Sequence, residues 1–509
     1  MWTNASFLIS AVGITCCLLL GGATSTGFLT DALLQLISIP LLLAALGRLP
    51  AAPTLKHMRW PLLFVLAVVL VPLVQLIPLP PRVWTVLPGR ETVVASFELL
   101  ERELPWMPIS LAPQATWLSA LSLLPPTAIF ITTSLHSYRE RRLLSLVVLA
   151  VGAISVFVGL SQVAQGPASG LRFFEVTNPS EAVGFFANRN HFASLLYALT
   201  LFAAAWAVAT AASRDLRHGR DTSWILAIAA SFVFLVVLVA AQAMTRSRAG
   251  IGLTIVALLG AFALTLRNRR DGSTRPTRLL VSAIALGSIF AIQFALYRVL
   301  QRFAVDPLQD ARIPLAENTI AAAKAFMPFG SGMGTFVPVY AMFESPQDAL
   351  VDAFANRAHN DFLELWLEAG VAGLALIAVF LMWFVIAAVK VWRQNAQAND
   401  SDQVIARAAT LIVALLVVHS FVDYPLRTGA MMAVLAFACA LLVAPPVPTE
   451  EVVSPEEQRI PGAHRGLPAA APPLHQGAPG PASRRSPERW GANLKWPDEW
   501  RHVDKDRDG

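Results

Sequence analysis

The sequence predicts an all-α polytopic membrane protein with about 12 transmembrane helices. Of its 509 residues, 55% are hydrophobic and only 14% are charged, and the mean hydropathy is +0.57. A soluble domain carries about a quarter charged residues. Apolar runs recur at the length of about twenty residues that a helix needs to cross a membrane. A transmembrane barrel would instead show short strands of alternating polarity.

The apolar runs place the predicted spans at 6–22, 28–47, 61–79, 116–135, 143–164, 191–212, 223–244, 249–266, 279–299, 364–389, 407–421 and 428–444. The first run has no basic residue ahead of it and no small-x-small cleavage site after it, so we interpret it as a retained span. The interval 80–115 is amphipathic and Pro-rich, which indicates an interfacial segment. Residues 1–444 thus form the predicted transmembrane domain, with a long polar loop at 300–363 between spans nine and ten.

The tail at 445–509 is rich in Pro, Ala, Gly and charged residues and lacks apolar periodicity. This composition predicts disorder. The chain has three cysteines, and their spacing indicates neither a disulfide framework nor a metal site.

Basic residues in alternate loops predict the orientation. Cytoplasmic loops are enriched in Lys and Arg, and the basic loops here contain Arg48, Lys56 and Arg59; Arg139, Arg141 and Arg142; Arg214, Arg217 and Arg220; Arg267, Arg269, Arg270, Arg275 and Arg278; and Lys390, Arg393 and Arg407. Both termini are then cytoplasmic and the 300–363 loop lies outside. The net charge of +6 is explained by this topology, so nucleic acid is not an expected partner.

Positive charge on the outer side runs against the topology rule and therefore needs a reason. The start of span six carries Asn188, Arg189 and His191, and the short turn before span eight carries Arg246 and Arg248. Asn188 is a good helix-starting residue. A capped span with an interfacial arginine, or arginines that reach lipid headgroups, would explain these residues structurally. A binding role explains the residues at the start of span six equally well. It explains the two arginines of the turn before span eight better.

The outer loop ends with the segment Arg357, His359 and Asn360 directly before an apolar helix. We expect Asp361 to cap that helix with Glu364 three residues later. His359 would then lie at a helix N-terminus, where free N–H groups favour anions. Earlier in the loop, the glycines of 330–336 imitate a phosphate-binding loop, but no GK[ST] follows them. We interpret them as a tight turn.

A last outer patch runs from His419 to Arg427. There, Asp423 and Arg427 could pair with each other, orient other basic groups, or simply stabilise a turn.

If the outer cations converge, they form a pocket suited to a lipid-linked phosphate or diphosphate. The set comprises Arg189, Arg246, Arg248, Arg312, Arg357 and His359. Guanidinium groups bind phosphate oxygens in a bidentate way and stabilise charge on a diphosphate leaving group. An imidazole, which titrates near neutral pH, could take a proton from a sugar hydroxyl. These motifs contain no acid-rich metal cluster, so we expect transfer without a metal or other cofactor.

Five segments together resemble the O-antigen ligase and O-antigen polymerase superfamily. The resemblance covers about 180–430 and is carried by Phe185–His191, Thr245–Gly250, Gly330–Phe336, Ala358–Gly370 and Val417–Leu426. It implies a bacterial inner-membrane protein of about twelve spans with one large periplasmic loop. It also implies transfer of a glycan from undecaprenyl diphosphate to a sugar acceptor, which is lipid A-core or a growing glycan chain.

The resemblance also implies roles for particular residues. The family's loop histidine matches His359, its first arginine matches Arg246 or Arg248, and its loop arginine best matches Arg312, although the aromatic residue that often follows that arginine is missing. These four are the expected catalytic residues. Substrate contacts are expected from Asn188, Arg189, His191, Arg357, Asn360 and Asp423. Membrane lipids and polysaccharide-assembly proteins complete the expected partners.

The same motifs occur in ligases, polymerases and protein O-oligosaccharyltransferases, and these alternatives stay open here. A non-enzymatic transporter or flippase of lipid-linked glycans is the competing class. It would place charged residues inside the spans and a binding site near the midplane. A structural partner in a polysaccharide-assembly complex is a third alternative.

Overall fold

The protein is described by a computed structural model at residues 2–24, 29–49, 52–213, 222–267, 307–346, 349, 354–394 and 401–445. In this part of the chain the regular structure is helical, and extended pairing is limited to an isolated bridge between Leu79 and Met107. The predicted all-α class is therefore confirmed.

The described helices follow one another in this order: α1 Trp2–Leu20, α2 Leu29–Arg48, α3 Ala52–Gln75, α4 Pro81–Trp84, α5 Glu91–Leu99, α6 Pro113–Ser122, α7 Leu124–Ser134, α8 Tyr138–Gln165, α9 Arg189–Ser213, α10 Thr222–Thr245, α11 Arg248–Arg267, α12 Pro307–Ala325, α13 Phe336–Tyr340, α14 Asp361–Arg393, α15 Ser401–His419 and α16 Gly429–Leu442. A 3-10 turn at Pro425–Arg427 precedes α16.

Among the described residues, eight helical segments are long and apolar enough to cross a membrane: Leu29–Arg48, Met58–Gln75, Pro113–Ser134, Tyr138–Gln165, Arg189–Thr210, Arg248–Arg267, Asp361–Arg393 and Ser401–His419. Shorter apolar helices occur at Ala5–Leu20, Ala229–Thr245 and Gly429–Leu442. Every predicted span except 279–299 overlaps one of these helices. That span, and the predicted tail after residue 445, lie outside the described residues.

The predicted span 116–135 is divided into α6 and α7, which meet at Leu123. Pro125 and Pro126 follow directly, and proline has no N–H group to donate within a helix. Proline is tolerated in the first turn, so one helix ends and another begins here. The preceding interval 80–112 contains only the short helices α4 and α5, neither of which is long enough to span a membrane.

Helix α9 lies at the centre of the bundle. It packs against α10, α11 and α15, and nearly all of its length is buried. Small residues such as Ala198, Ala204 and Ala205 are fully buried on it, and small side chains let membrane helices approach closely. The first turn of α9 is thereby held among its neighbours in a defined position.

The glycine segment of the polar loop forms the tight turn that the sequence predicts. Gly330, Gly332 and Gly334 have φ values of 78°, 113° and 79°, which glycine adopts without steric cost. A Cβ on Gly330 would lie 2.5 Å from the carbonyl oxygen of Glu368. The turn is closed against α14, where the Gly334 N–H donates to Glu368 Oε1 (2.9 Å).

The start of α14 differs from the sequence prediction. Asn360, and not Asp361, is the N-cap, and its Oδ1 accepts from the N–H groups of Phe362 and Leu363 (both 3.0 Å). The Asp361 carboxylate is turned away and accepts from the Ser420 hydroxyl (2.8 Å). Asparagine is as good an N-cap as aspartate, and the capping choice was decided by the contact with Ser420.

Candidate functional site

One end of the bundle brings together the segments that carry the predicted site residues, and we name it the site end. Here α9, α11, α14 and α16 begin, and α10 and α15 end. Three backbone contacts join them: Ala182 N–H donates to Met244 O (3.1 Å), Asp361 N–H to Ser420 O (2.9 Å), and Ala187 N–H to Gly22 O (3.0 Å).

The central pair of the site end is His359 and Asp423. The His359 Nδ1 atom lies 3.1 Å from Asp423 Oδ1, in hydrogen-bond contact. The Asp423 side chain is 1% exposed, whereas the His359 side chain is 29% exposed. The carboxylate is thus buried behind an imidazole that reaches the surface. The contact with Asp423 thus engages Nδ1 of the imidazole and leaves Nε2 for a substrate.

Asp423 is kept ionised by its neighbours. Burial alone raises the pKa of a carboxyl, but the hydrogen bond from His359 and the neighbouring imidazoles of His191 and His419 outweigh it. The pKa of Asp423 therefore lies below its ordinary range. An ionised Asp423 accepts the proton on Nδ1 and so selects the His359 tautomer whose Nε2 is a base.

Tyr424 connects His359 to the start of α9. Its ring contacts His359 and His191 edge-on, with ring centroids 4.9 Å apart in both cases. Its hydroxyl accepts from the Asn188 side chain at 3.4 Å. Burial and the Asp423 charge raise the pKa of Tyr424 to about 12, so the hydroxyl stays protonated at neutral pH. Asn188, His191 and His359, which are far apart in sequence, thus share one neighbour.

Two buried histidines surround the same carboxylate. His419 Nδ1 lies 2.9 Å from Ser194 Oγ and 3.3 Å from the Tyr197 hydroxyl. Among the described residues, neither ring nitrogen of His191 and not Nε2 of His419 has a hydrogen-bond partner. Unpartnered buried polar atoms are rare in folded proteins. Their concentration next to Asp423 marks the site end as the candidate active site.

The arginines of the first two outer patches gather around Glu181, in the loop before α9. Arg189 Nη1 lies 3.0 Å from Glu181 Oε1, and Arg246 Nη1 lies 3.8 Å from the same oxygen. Arg172 Nη1 donates to the Glu181 backbone carbonyl at 3.1 Å. Two segments that the sequence shows only as separate basic patches therefore form one arginine cluster, Arg172, Arg189 and Arg246.

Arg248 is the first residue of α11, two positions after Arg246 in the same turn. Close packing fixes that turn, since a Cβ on Gly250 would lie 2.4 Å from the Ala193 Cβ atom on α9. Arg312 lies on α12 with an exposed side chain. The helix that carries Arg312 begins at Pro307 and continues through Pro314.

Arg357, one of the expected anion-binding residues, and Arg427 of the last outer patch both have internal partners. Arg357 Nη1 lies 2.9 Å from the Glu364 carboxylate, and Arg427 lies 3.6 Å or less from carboxylate oxygens of Asp361, Glu364 and Glu368. Three acids at the start of α14 therefore neutralise these two arginines. Arg427 pairs with Asp361, Glu364 and Glu368, which we name the acid ladder. Asp423, in contrast, pairs with His359.

The helix start beside His359 is also occupied internally. The first N–H groups of α14 donate to Ser420 O and to Asn360 Oδ1 and O, and the Asn360 amide donates to Phe421 O (3.0 Å). The expectation of free N–H groups for an anion is therefore wrong. Any negative charge at this site would be held by side chains.

A cavity of about 500 Å³ opens beside Asp361 of the acid ladder and its partner Arg427. Its walls are mainly apolar and include Phe64, Val68, Leu118, Leu365, Phe380 and Leu435. The charged residues Arg357, Asp361 and Arg427 also line it. Arg357 and Asp361 lie two residues before and two residues after His359, so the cavity wall includes close sequence neighbours of His359.

Sequence reasoning missed several residues that complete the site. Glu181 and Arg172 lie in a loop without a recognised motif, and Tyr424 was seen only as part of a turn. Glu364 was assigned to helix capping, but its buried carboxylate binds the segment before His359. A signal was present for Glu364 and Glu368, because two acids four residues apart share one face of a strongly apolar helix.

Residues 232–378 match the family model described as O-antigen ligase. This match confirms the resemblance to the O-antigen ligase and polymerase superfamily. The matched segment contains Arg246, Arg248, Arg312 and His359, whereas Asp423 lies outside it. The chain matches no curated protein.

Proposed function

We propose that this chain, which carries an O-antigen ligase domain, transfers a glycan from an undecaprenyl-diphosphate carrier to a sugar acceptor. The observation that carries the proposal is the His359–Asp423 pair, with its buried carboxylate and partly exposed imidazole, at the site end shared with the arginine cluster. A base and a group of fixed cations are what transfer from a diphosphate leaving group requires.

In the proposed mechanism His359 Nε2 takes the proton from an acceptor hydroxyl. The oxygen forms a bond to the anomeric carbon of the donor glycan, and the bond from that carbon to the diphosphate oxygen breaks. The electron pair leaves with the diphosphate. Asp423 accepts the Nδ1 proton in a hydrogen bond and stabilises the imidazolium that forms. The proton leaves His359 before the next turnover.

The departing diphosphate gains negative charge as the bond breaks. Arg189, Arg246 and Arg248 are proposed to stabilise it, because guanidinium groups hold phosphate oxygens in fixed geometry. Arg312 is proposed to contact the same substrate from α12. Asn188, His191, Arg357 and Asn360 complete the proposed surroundings. The proposal assigns the neutralising charge to these side chains and requires no metal or organic cofactor.

The apolar cavity supports a lipid-linked substrate. Its volume of about 500 Å³ and its position along α3, α6, α14 and α16 suit an aliphatic chain. The charged lining residues Arg357, Asp361 and Arg427 lie where the chain would join a polar head. This supports a donor held by its lipid within the bundle and by its diphosphate at the site end.

Buried charges within the candidate spans bear on the transporter alternative. Arg141 lies in the first turn of α8 and Arg407 in the second turn of α15, while Glu364 and Glu368 lie in the first turns of α14. They lie toward the helix ends, away from the midplane where a transporter would bind its cargo. This favours an enzyme acting at one face.

The experiment that tests the function supplies purified protein with an undecaprenyl-diphosphate-linked glycan and candidate acceptors. Mass spectrometry of the products separates the alternatives. Longer lipid-linked chains indicate a polymerase, glycan on lipid A-core a ligase, and glycan on protein an oligosaccharyltransferase. Absence of any transfer with every acceptor and donor supplied would overturn the proposal.

Replacing Arg246 or Arg248 with alanine is expected to lower kcat/KM for the donor by about 100-fold, the usual effect of removing one charge-stabilising donor. Lysine at either position is expected to restore part of the loss, because it keeps the charge but lacks the bidentate fork. Arg267→Ala, at the opposite end of α11, is the matched control. Equal activity of Arg248→Ala, Arg246→Ala and Arg267→Ala would contradict the assigned role.

We propose that the protein lies in the bacterial inner membrane with both termini cytoplasmic and the site end periplasmic. Cysteine at Phe354, whose side chain is 73% exposed, is expected to react with an impermeant maleimide in intact spheroplasts. Cysteine at the exposed Arg139 position is expected to react only after permeabilisation. A background lacking the three native cysteines serves as the blank, and the reverse labelling pattern would invert the topology.

A further inference from the structure

The backbone at His359 has a conformation that side chains rarely adopt. Its φ is +50°, in the left-handed region that non-glycine residues enter only when the surroundings hold them there. In this conformation the imidazole reaches Asp423. Contacts on both sides of His359 must therefore fix the chain.

On the side after His359, the fixing contacts come from Asn360. Its side chain caps α14 and donates to Phe421 O (3.0 Å). On the side before His359, both fixing contacts come from a single carboxylate. Glu364 Oε2 accepts from the Ala358 N–H (3.0 Å), and Glu364 Oε1 binds Arg357 Nη1 (2.9 Å).

We infer that Glu364 is a positioning residue that holds Arg357 and Ala358 so that the His359 imidazole is aimed at Asp423. The inference rests on the proposed function for its catalytic consequence, although its structural part stands on these contacts. Glu364 is fully buried on the first turn of α14 and acts on His359 through the two residues that precede it. Arg357 then serves the same role from the other side of the ion pair.

A carboxylate is needed at this position because both neighbours donate hydrogens. Each Glu364 oxygen accepts from one of them, and Arg427 Nη1 lies 3.5 Å from Oε1. Glutamine would place an NH₂ group against either the Ala358 N–H or a guanidinium, so one donor would lose its acceptor. Aspartate keeps the charge but is one methylene too short to reach both donors.

Glu368 provides a matched control. It is also fully buried on α14, one turn later, and it also binds Arg427 (2.8 Å). Its remaining oxygen accepts from the N–H groups of Gly334 and Phe336. Within the described part of the chain, Glu368 forms no hydrogen bond or ion pair with residues 357–359. Glu364→Gln and Glu368→Gln thus each replace a fully buried acid of α14 that lies next to Arg427, and they differ in their contact with the His359 segment.

The test compares the wild type, Glu364→Gln, Glu364→Asp and Glu368→Gln in two measurements. The first is glycan transfer, where misplacement of a catalytic group by about 1 Å can cost up to about 100-fold in rate. We expect kcat to fall by about 10- to 100-fold for both Glu364 variants, with KM for the donor changed by less than about threefold. Glu368→Gln is expected to stay much closer to the wild-type kcat per folded molecule.

The second measurement does not depend on activity. Diethylpyrocarbonate modifies accessible imidazoles, and His359 is partly exposed while His191 and His419 are buried. Mass spectrometry of the His359 peptide is expected to show severalfold faster modification in both Glu364 variants and an unchanged rate in Glu368→Gln. Glu364→Asp retains the buried charge and keeps the test valid if the glutamine variant fails to fold.

The outcomes separate this inference from the proposed function. Equal modification rates and equal kcat values in the Glu364 and Glu368 variants would overturn the positioning role. Faster His359 modification confined to the Glu364 variants, in a wild-type protein without transfer activity, would uphold the positioning of His359 and reject the proposed reaction.

Discussion

With His359 replaced by alanine, the purified protein is expected to transfer glycan about 1,000-fold more slowly than the wild type, within the range for loss of a general base. The reason is that, among the described residues of the site end, His359 has the only imidazole that reaches the surface. His191 and His419 are fully buried, whereas the His359 side chain is 29% exposed. Donor binding is expected to change little, because the arginine cluster remains.

The measurement is a single-turnover rate with a lipid-linked donor, paired with the donor dissociation constant. Phe354→Ala is the control, since Phe354 precedes His359 by five residues and has a side chain that is 73% exposed. Transfer by His359→Ala at the rate of Phe354→Ala would remove His359 from the mechanism.

Asp423→Asn is expected to lower kcat by about two to three orders of magnitude, with a small effect on KM. Asparagine has nearly the same shape, so His359 would stay close to its present position. The amide, however, is neutral and can also present its NH₂ group to Nδ1. His359 would then lose the tautomer that leaves Nε2 as the base, and the imidazolium would lose its counter-charge.

The same variant can be checked by its stability in acid. Because the pKa of Asp423 is depressed in the folded protein, its ionisation stabilises the fold above the ordinary carboxyl pKa of about 4. This stabilisation is lost as the pH falls from about 4 toward the lower folded-state value. Asp423→Asn is expected to show a smaller loss of thermal stability over that range. An acid response and a kcat equal to those of the wild type would contradict the role of the carboxylate.

Much of the fold could be predicted from the apolar runs, because a membrane helix must carry about twenty apolar residues whatever its neighbours are. Helices α9 and α11 lie where those runs are. The internal break at Leu123 was not predicted, since the two prolines allow either a kinked helix or two helices. The cap of α14 was misassigned because Asn360 and Asp361 are both good caps, and the contacts of Asp361 with Ser420 and Arg427 could not be predicted from the sequence.

The candidate site was predicted in its components but not in its connections. His359, Arg246 and Arg248 stood out as polar residues within apolar surroundings. The partner of His359 is Asp423, 64 residues later, and the partner of Arg246 is Glu181, 65 residues earlier. Whole helices lie between the members of each pair. The sequence does not show which of several carboxylates will contact a given histidine or arginine.

The sequence by itself determined that this chain is a multi-helix membrane protein that resembles the O-antigen ligase family and has a histidine at the end of a polar loop. Hydropathy and local motifs are properties of short segments, so they can be recognised without knowledge of the fold. Only the tertiary structure decided that Asp423 binds His359, that Tyr424 joins His359 to His191, and that Glu364 holds the segment before it. Those contacts depend on how distant helices pack, because burial turns an ordinary carboxylate into the specific partner of one imidazole.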